Sequence, residues 1–295
     1  VEDSVAVVKS LALQLSANAF REAIRVRLLA ELTPDQLNEF YPPFPKAAAD
    51  AWAEAQSAQI KAAAFDKLGL LQDQLDLRGA SNNWVVSGAR SASGKPLLAN
   101  DPHLGLTLPA VWYLARLSWP GGEAVGGTVP GIPGVVTGRT RNVAFGLTTT
   151  GGDTQDIFVE RLNPANPNEY ITAAGPVAFK SRRETIHVRF GAPREIEIRE
   201  TAYGPVIPTD EPRVAEYFPK GAVAALRWPG LNAQDGTIET SIRILEAKDA
   251  SEAEIARVFE DYRAPLQSWV YAGIDGSIGK LIPGPIPIRD PRQTS

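Results

Sequence analysis

The chain contains no cysteine and no methionine among its 295 residues. The lack of cysteine excludes disulfides, thiolate nucleophiles and every metal site built on sulfur. It suits a periplasmic protein as well as a cytosolic one. The lack of methionine has no physical account. Histidine is nearly as scarce: only His103 and His187 occur. That is too few for a multi-histidine zinc centre, and it leaves a Ser-His-Asp triad few candidates. Basic residues are not in excess, with 30 Lys and Arg against 34 Asp and Glu and a formal net charge of -4. A nucleic-acid partner is therefore not expected. No apolar run reaches the roughly 18 residues that a membrane span needs, and no leader is visible at Val1. What is present is ample for a sizeable core: 44% of the residues are hydrophobic and 22% charged, a globular balance.

The texture of the chain changes once, abruptly. Residues 1–32 read as an amphipathic helix, with Val5, Val8, Ala12, Leu15, Ala19, Ala23 and Val26 at helical spacing. Thr33-Pro34 followed by Asp35-Gln36 is a helix start. Pro42, Pro43 and Pro45 interrupt the pattern. Residues 46–76, rich in Ala, Gln and Lys, are again helical, with a weak apolar face. At Gly79-Ala80-Ser81 the helical texture stops, and Trp84-Val85-Val86 opens a series of short strands punctuated by Gly and Pro. Ile186 to Phe190 and Glu195 to Arg199 alternate cleanly, predicting a hairpin around Gly191-Ala192-Pro193. Ser251 and Glu254 form the two ends of a capping-box pattern ahead of a helix over 251–262. Trp269 to Ala272 is a further strand with its turn at Asp275-Gly276. Helices first, then many strands with occasional helices, predict an α+β protein.

A serine hydroxyl is a weak nucleophile and needs a base. The Gly-x-Ser-x-Gly nucleophile elbow is absent. An alternative is a serine that has become the first residue of its chain. Its own α-amino group, with an ordinary pKa near 8, can then take the hydroxyl proton. That requires a peptide cut immediately before the serine. Gly79-Ala80-Ser81, small residues at the seam between the two textures, is a place where such a cut fits.

The segments that follow carry a resemblance. Ser81-Asn82-Asn83-Trp84 leads to Asn100-Asp101-Pro102-His103-Leu104, then Pro130-Gly131-Ile132-Pro133 and Gly138. Ala144-Phe145-Gly146-Leu147-Thr148 and Gly152-Asp153-Thr154-Gln155-Asp156-Ile157-Phe158 complete the set. In this order and spacing they resemble the penicillin acylase family of N-terminal-nucleophile hydrolases, which includes cephalosporin acylases and acyl-homoserine-lactone acylases. The resemblance runs from about residue 2 to 292 and is densest over 81–161. It implies a four-layer αββα sandwich of two antiparallel sheets, only part of which this chain would supply. It also implies a precursor cut into two chains. Residues 1–45 would end the α chain, 46–80 would be the spacer, and 81–295 would begin the β chain. Family members extend beyond both ends of this sequence, and they work in the periplasm or outside the cell.

The same resemblance implies roles. Ser81 would attack an amide carbonyl and carry the acyl group. His103 would assist the free amine. The backbone N–H of Thr149, or of Thr150 if the match slips by one, would be one oxyanion donor. Ser268 stands where the family carries the asparagine that supplies the second, the clearest departure from the pattern. Leu104, Val136 and Leu147 would line an aliphatic acyl pocket. Glu22, Asp153, Asp156 and the Gln155 carbonyl would hold a structural calcium ion, joining α and β chains. Arg289 matches a recurrent structural arginine, and no organic cofactor is implied. The partner is a small N-acyl amide. A β-lactam side-chain acylase and an acyl-homoserine-lactone or lipopeptide acylase remain alternatives, as does an uncleaved, inactive relative serving as a periplasmic binding protein.

Overall fold

A computed structural model of the chain describes residues 2–16, 81–104, 108–208 and 220–289, with Asn18, Ala19, Leu28, Leu32, Thr33, Asp35 and Gln36. Ala80 and Glu22 lie outside the described residues, as does the expected spacer helix. The chain divides into two units. One comprises residues 1–17, 68–154 and 229–287; the other comprises 18–67, 155–228 and 288–295.

The first unit opens with α1 (Glu2–Leu15). Val8 and Ala12, one turn apart on its predicted apolar stripe, are buried. Lys9 donates to the Gly230 carbonyl and pairs with the Asp235 carboxylate, fixing the helix to the far end of the same unit. Six strands follow: β1 (Asn82–Val86), β2 (Leu97–Asp101), β3 (Tyr113–Trp119), β4 (Gly122–Thr128), β5 (Thr137–Thr140) and β6 (Val143–Thr149). β1 and β2 form a two-stranded antiparallel hairpin.

The chain next builds the second unit from β7 (Asp156–Asn163), β8 (Asn166–Thr172), β9 (Gly175–Ala178), β10 (Lys180–Ile186), β11 (Arg194–Thr201), β12 (Gly204–Pro205) and β13 (Ala222–Arg227). These form a four-stranded sheet in the order β13-β7-β8-β9 and a three-stranded sheet in the order β10-β11-β12. The core of this unit is small, built on Tyr170, Phe179 and Val223. Glu160 is buried there, and loss of water pushes its carboxyl above the usual range. The predicted hairpin is present, with Ile186 opposite Arg194. The strand is shorter than its alternation implied, however: β10 ends at Ile186, and His187 to Phe190 belong to the loop, where Phe190 takes a positive φ of 63°. His187 is exposed there. Alternation cannot mark a strand end when no core covers the element, and all seven residues of β10 are exposed. The predicted helix start at Thr33 is closed on both sides. The Gln36 N–H donates to the Thr33 hydroxyl at 3.3 Å, and the Thr33 N–H donates to the Gln36 side chain at 3.0 Å.

Returning to the first unit, the chain adds α2 (Thr237–Arg243), α3 (Glu252–Val258), β14 (Gln267–Gly273) and β15 (Ile278–Leu281). A six-stranded antiparallel sheet results, ordered β15-β14-β6-β5-β4-β3. Its two faces are used differently. Val143, Phe145 and Trp269 point to one face and pack with Ile244, Ile255, Val258, Phe259 and Tyr262 of the helical segment. The Trp269 ring lies edge-on to Phe259, with centroids 4.9 Å apart. Burying a side chain such as Phe145, which is 1% exposed, contributes about 1.5–3 kcal/mol. The opposite face, formed by the alternate residues Gly146, Thr148 and Ser268, meets the β1–β2 hairpin through hydrogen bonds from Asn83 and Asn100. Hairpin, sheet and helices thus stack as successive layers. The six-stranded sheet is antiparallel throughout, so the α+β expectation holds.

Candidate active site

Ser81 immediately precedes β1 and lies on the hairpin side of the sheet, half-buried. Its Oγ accepts a hydrogen bond from the His103 backbone N–H at 3.1 Å. A donor on Oγ stabilises negative charge on that oxygen. The Ser81 carbonyl accepts from the Thr148 hydroxyl at 2.9 Å, which pins the residue to β6. The His103 ring turns to Asp101, with Nε2 2.7 Å from a carboxylate oxygen. What reaches Ser81 Oγ is therefore the main chain of His103. Pro102 lies between the two members of this pair.

The expected oxyanion donors fall on two neighbouring strands of the six-stranded sheet, β6 and β14. Thr149 stands opposite Gln267 and Thr148 opposite Ser268. The Thr150 N–H bonds the Leu266 carbonyl, so the Thr149–Gln267 pair is the non-hydrogen-bonded kind and the Thr149 N–H points away from β14. Thr150, the alternative donor, is occupied in that ladder. The Gln267 side chain, 2% exposed, donates to the Thr149 hydroxyl at 3.2 Å. Ser268, 6% exposed, faces the hairpin side, directly across from the Thr148 that holds Ser81. Its carbonyl accepts from the Asn83 side chain at 2.7 Å. The topology thus brings Ser81, His103, Thr148, Thr149 and Ser268 to one end of one sheet pair.

Among the pocket candidates, Leu104 directly follows His103 and is half-buried, as is Val136. Leu147 alternates to the other face of β6 and packs against the buried cluster under the helices.

Two expected calcium ligands lie in the second unit. The Gln155 carbonyl accepts from the Asn18 side chain at 2.7 Å. One Asp156 oxygen accepts from Arg289 Nε at 2.7 Å. The donor set is all oxygen, the kind calcium takes, but Arg289 neutralises one of its charges. Among the described residues no group of three or more His, Cys, Asp or Glu stands together, and Glu22 lies outside them.

Asn100 and Thr148 bond the segment around Ser81, contacts that motif reading did not assign. The signal was weak: each is a polar residue at an inward position of a strand. Among the described residues no helix is long and apolar enough to cross a membrane.

The whole chain, residues 1–295, matches the penicillin amidase family. The chain is 31% identical over 224 residues to an acyl-homoserine lactone acylase, QuiP, of Pseudomonas aeruginosa; the match covers 70% of this chain and 26% of that protein. It is 29% identical over 218 residues to penicillin G acylase of Escherichia coli, covering 72% and 24%. Among solved structures, a thermostable penicillin G acylase from Alcaligenes faecalis superimposes with a TM-score of 0.59 at 26% identity, over 70% of this chain and 35% of that one. The chain therefore spans about a quarter of the length of these curated relatives. An α+β scaffold of antiparallel sheets, this similarity of fold and a match along every residue lead to one conclusion: the chain belongs to the penicillin amidase family of N-terminal-nucleophile hydrolases.

Proposed function

We propose that the protein hydrolyses the amide bond of a small N-acylated molecule through an acyl-enzyme on Ser81. In this reading, self-cleavage after Ala80 frees Ser81 as a new N-terminus. The observation that carries the reading is the hydrogen bond from the His103 backbone to Ser81 Oγ at 3.1 Å, beside an N–H of Thr149 directed away from its ladder. The free α-amino group, with a pKa near 8, takes the hydroxyl proton as Oγ attacks the carbonyl. The Thr149 N–H and the Ser268 hydroxyl receive the developing oxyanion. The α-ammonium returns that proton to the leaving nitrogen as the C–N bond breaks, and the amine departs. The α-amino group then takes a proton from the water that attacks the acyl carbonyl. It gives that proton back to Ser81 Oγ as the acid is released.

Leu104 and Val136, both aliphatic and half-buried, favour an apolar acyl group; Leu147, packed under the helices, is not part of that wall. Such a wall suits a fatty acyl chain as well as an aromatic one; relatives are named for acyl-homoserine lactone and for penicillin G. A calcium ion on Glu22, Asp153, Asp156 and the Gln155 carbonyl would neutralise clustered carboxylates and brace the α and β chains. It would take no part in the chemistry. The compartment that fits this reading is the periplasm or the exterior.

The full-length protein provides the test. Its polypeptides should include one beginning at Ser81 by N-terminal sequencing. Ser81→Ala should remain a single chain across that junction and hydrolyse no anilide of an aliphatic or aryl acid. Normal cutting and hydrolysis by Ser81→Ala would refute the proposal. An uncut wild-type protein without hydrolysis would instead favour the binding-protein reading, which the serine at position 268 motivates.

A further inference from the structure

Asn100 sits on β2, opposite Asn83 in the hairpin. Its carboxamide makes four hydrogen bonds. Nδ2 donates to the Asn82 carbonyl at 3.0 Å and to the Leu147 carbonyl at 2.8 Å. Oδ1 accepts from the Thr137 hydroxyl at 2.6 Å and from the Leu147 N–H at 3.2 Å. This exhausts the capacity of an asparagine side chain, which has two donors and two lone pairs. The pattern is also geometrically selective. One amide group satisfies both the N–H and the C=O of Leu147, as a neighbouring strand would do. The pairing of β5 with β6 is confined to Gly138 with Phe145 and Arg139 with Ala144, so Asn100 takes over where the ladder stops. Two residues further along, the Thr149 N–H points to the same side. The fit is close: a Cβ at Gly146 would stand 2.6 Å from the Asn100 Cβ, and only glycine leaves room there.

We propose that Asn100 is a positioning residue that sets the separation between nucleophile and oxyanion donor. It grips the carbonyl of the residue next to Ser81 with one N–H. With its other N–H and its oxygen it grips the segment of β6 that ends in Thr149. Rotating or repelling this carboxamide moves Ser81 relative to Thr149 while leaving the acyl pocket in place. The ground state is then bound as before, and the transition state is not. A displacement of this kind, on the order of 1 Å, costs about 100-fold. The inference rests on the reading of Ser81 as the nucleophile.

The test uses the full-length protein with the 4-nitroanilides of phenylacetic and octanoic acids as probes. Asn100→Asp keeps the shape but turns a bare oxygen toward the carbonyls of Asn82 and Leu147. It should be cut into the same chains as wild type. Its kcat should fall by about 100-fold, with KM and the inhibition constant of the free acid changed by less than about threefold. Thr137→Val removes one donor to Oδ1 and should lower kcat by a smaller factor, whereas Thr137→Ser should behave as wild type. An unchanged kcat in Asn100→Asp overturns the inference. So does a parallel worsening of kcat and KM with a lowered Tm, which a merely structural residue would produce. If Asn100→Asp does not fold or is not cut, an unchanged kcat in Thr137→Val overturns it instead. Ser81→Ala separates the two levels: if it still hydrolyses the probes, the nucleophile assignment fails and this inference falls with it. If Ser81 is essential and the Asn100 and Thr137 variants are silent, only this inference falls.

Discussion

Ser268 lies directly across from Thr148, whose hydroxyl holds the Ser81 carbonyl. An asparagine there would reach about one bond further and offer two N–H groups; serine offers one O–H on a shorter arm. Gln267 does not substitute for it, because its side chain points to the opposite face and is committed to the Thr149 hydroxyl. A missing oxyanion donor typically lowers kcat by about 100- to 1000-fold. Ser268→Asn should therefore raise kcat on a 4-nitroanilide with little change in KM, and Ser268→Ala should lower it. Steady-state kinetics of both variants decide the matter: if neither moves kcat, Ser268 takes no part in binding the oxyanion. The position of Ser268 was readable from the resemblance, which matches residues 267–271 to the segment that carries the family's asparagine. The contacts of Asn100 were not readable. They depend on Leu147, 47 residues away in the chain, and nothing local in a strand asparagine distinguishes a bridging carboxamide from a solvated one.

The helix α3 shows how far an element follows its own signals. Ser251 caps it as predicted, accepting from the Glu254 N–H at 3.3 Å. The reciprocal arm of the capping box is absent, which corrects the sequence pattern. The Ser251 N–H bonds Asp249 instead. The Glu254 carboxylate accepts from the Lys248 N–H at 3.1 Å and from Arg257 at 2.9 and 3.0 Å. An arginine fork attracts the carboxylate more strongly than one amide can. These partners, Arg257 foremost, hold the Glu254 carboxyl at about 2, well below its ordinary 4.5. Because the folded value lies below the unfolded one, this stabilisation is present above pH 4.5 and is lost as the pH falls toward about 2. Glu254→Gln should melt below wild type at neutral pH, and the gap should close on acidification across that window. Melting curves of the two proteins from pH 7 to 2 test this, and a gap that stays constant with pH refutes it. By contrast, Thr33 and Gln36 complete both arms of their box.

At the scale of the whole molecule, the first question is what holds the segment before the proposed cut. Within the first unit α1 needs no covalent link to residues after Ser81. Val8 and Ala12 are buried, and Lys9 is tied to Gly230 and Asp235. The proposed calcium ion is a second brace. Metal analysis of extensively dialysed full-length protein should find one calcium per molecule, and a chelator should lower Tm by several degrees. Absence of calcium together with an unmoved Tm would eliminate the ion from this reading. Asp153→Ala should act like the chelator, impairing stability or processing more than the chemistry of folded enzyme.

The sequence by itself determined the class of the fold, the strand positions around Trp84, Trp269 and the hairpin near Gly191, and the family. These follow from short-range periodicity, from turn residues and from motifs read in order along the chain. It also singled out Ser81 and His103, because they sit in the most distinctive segments. Only the tertiary structure decided that His103 meets Ser81 through its backbone N–H while its ring turns to Asp101. It alone showed that Leu147 faces the helices, that β10 stops at Ile186, and that Asn100 links the hairpin to β6. Each of these depends on which residues a distant strand brings opposite. That register is set by the summed burial of a whole sheet face, and no local stretch of sequence encodes it.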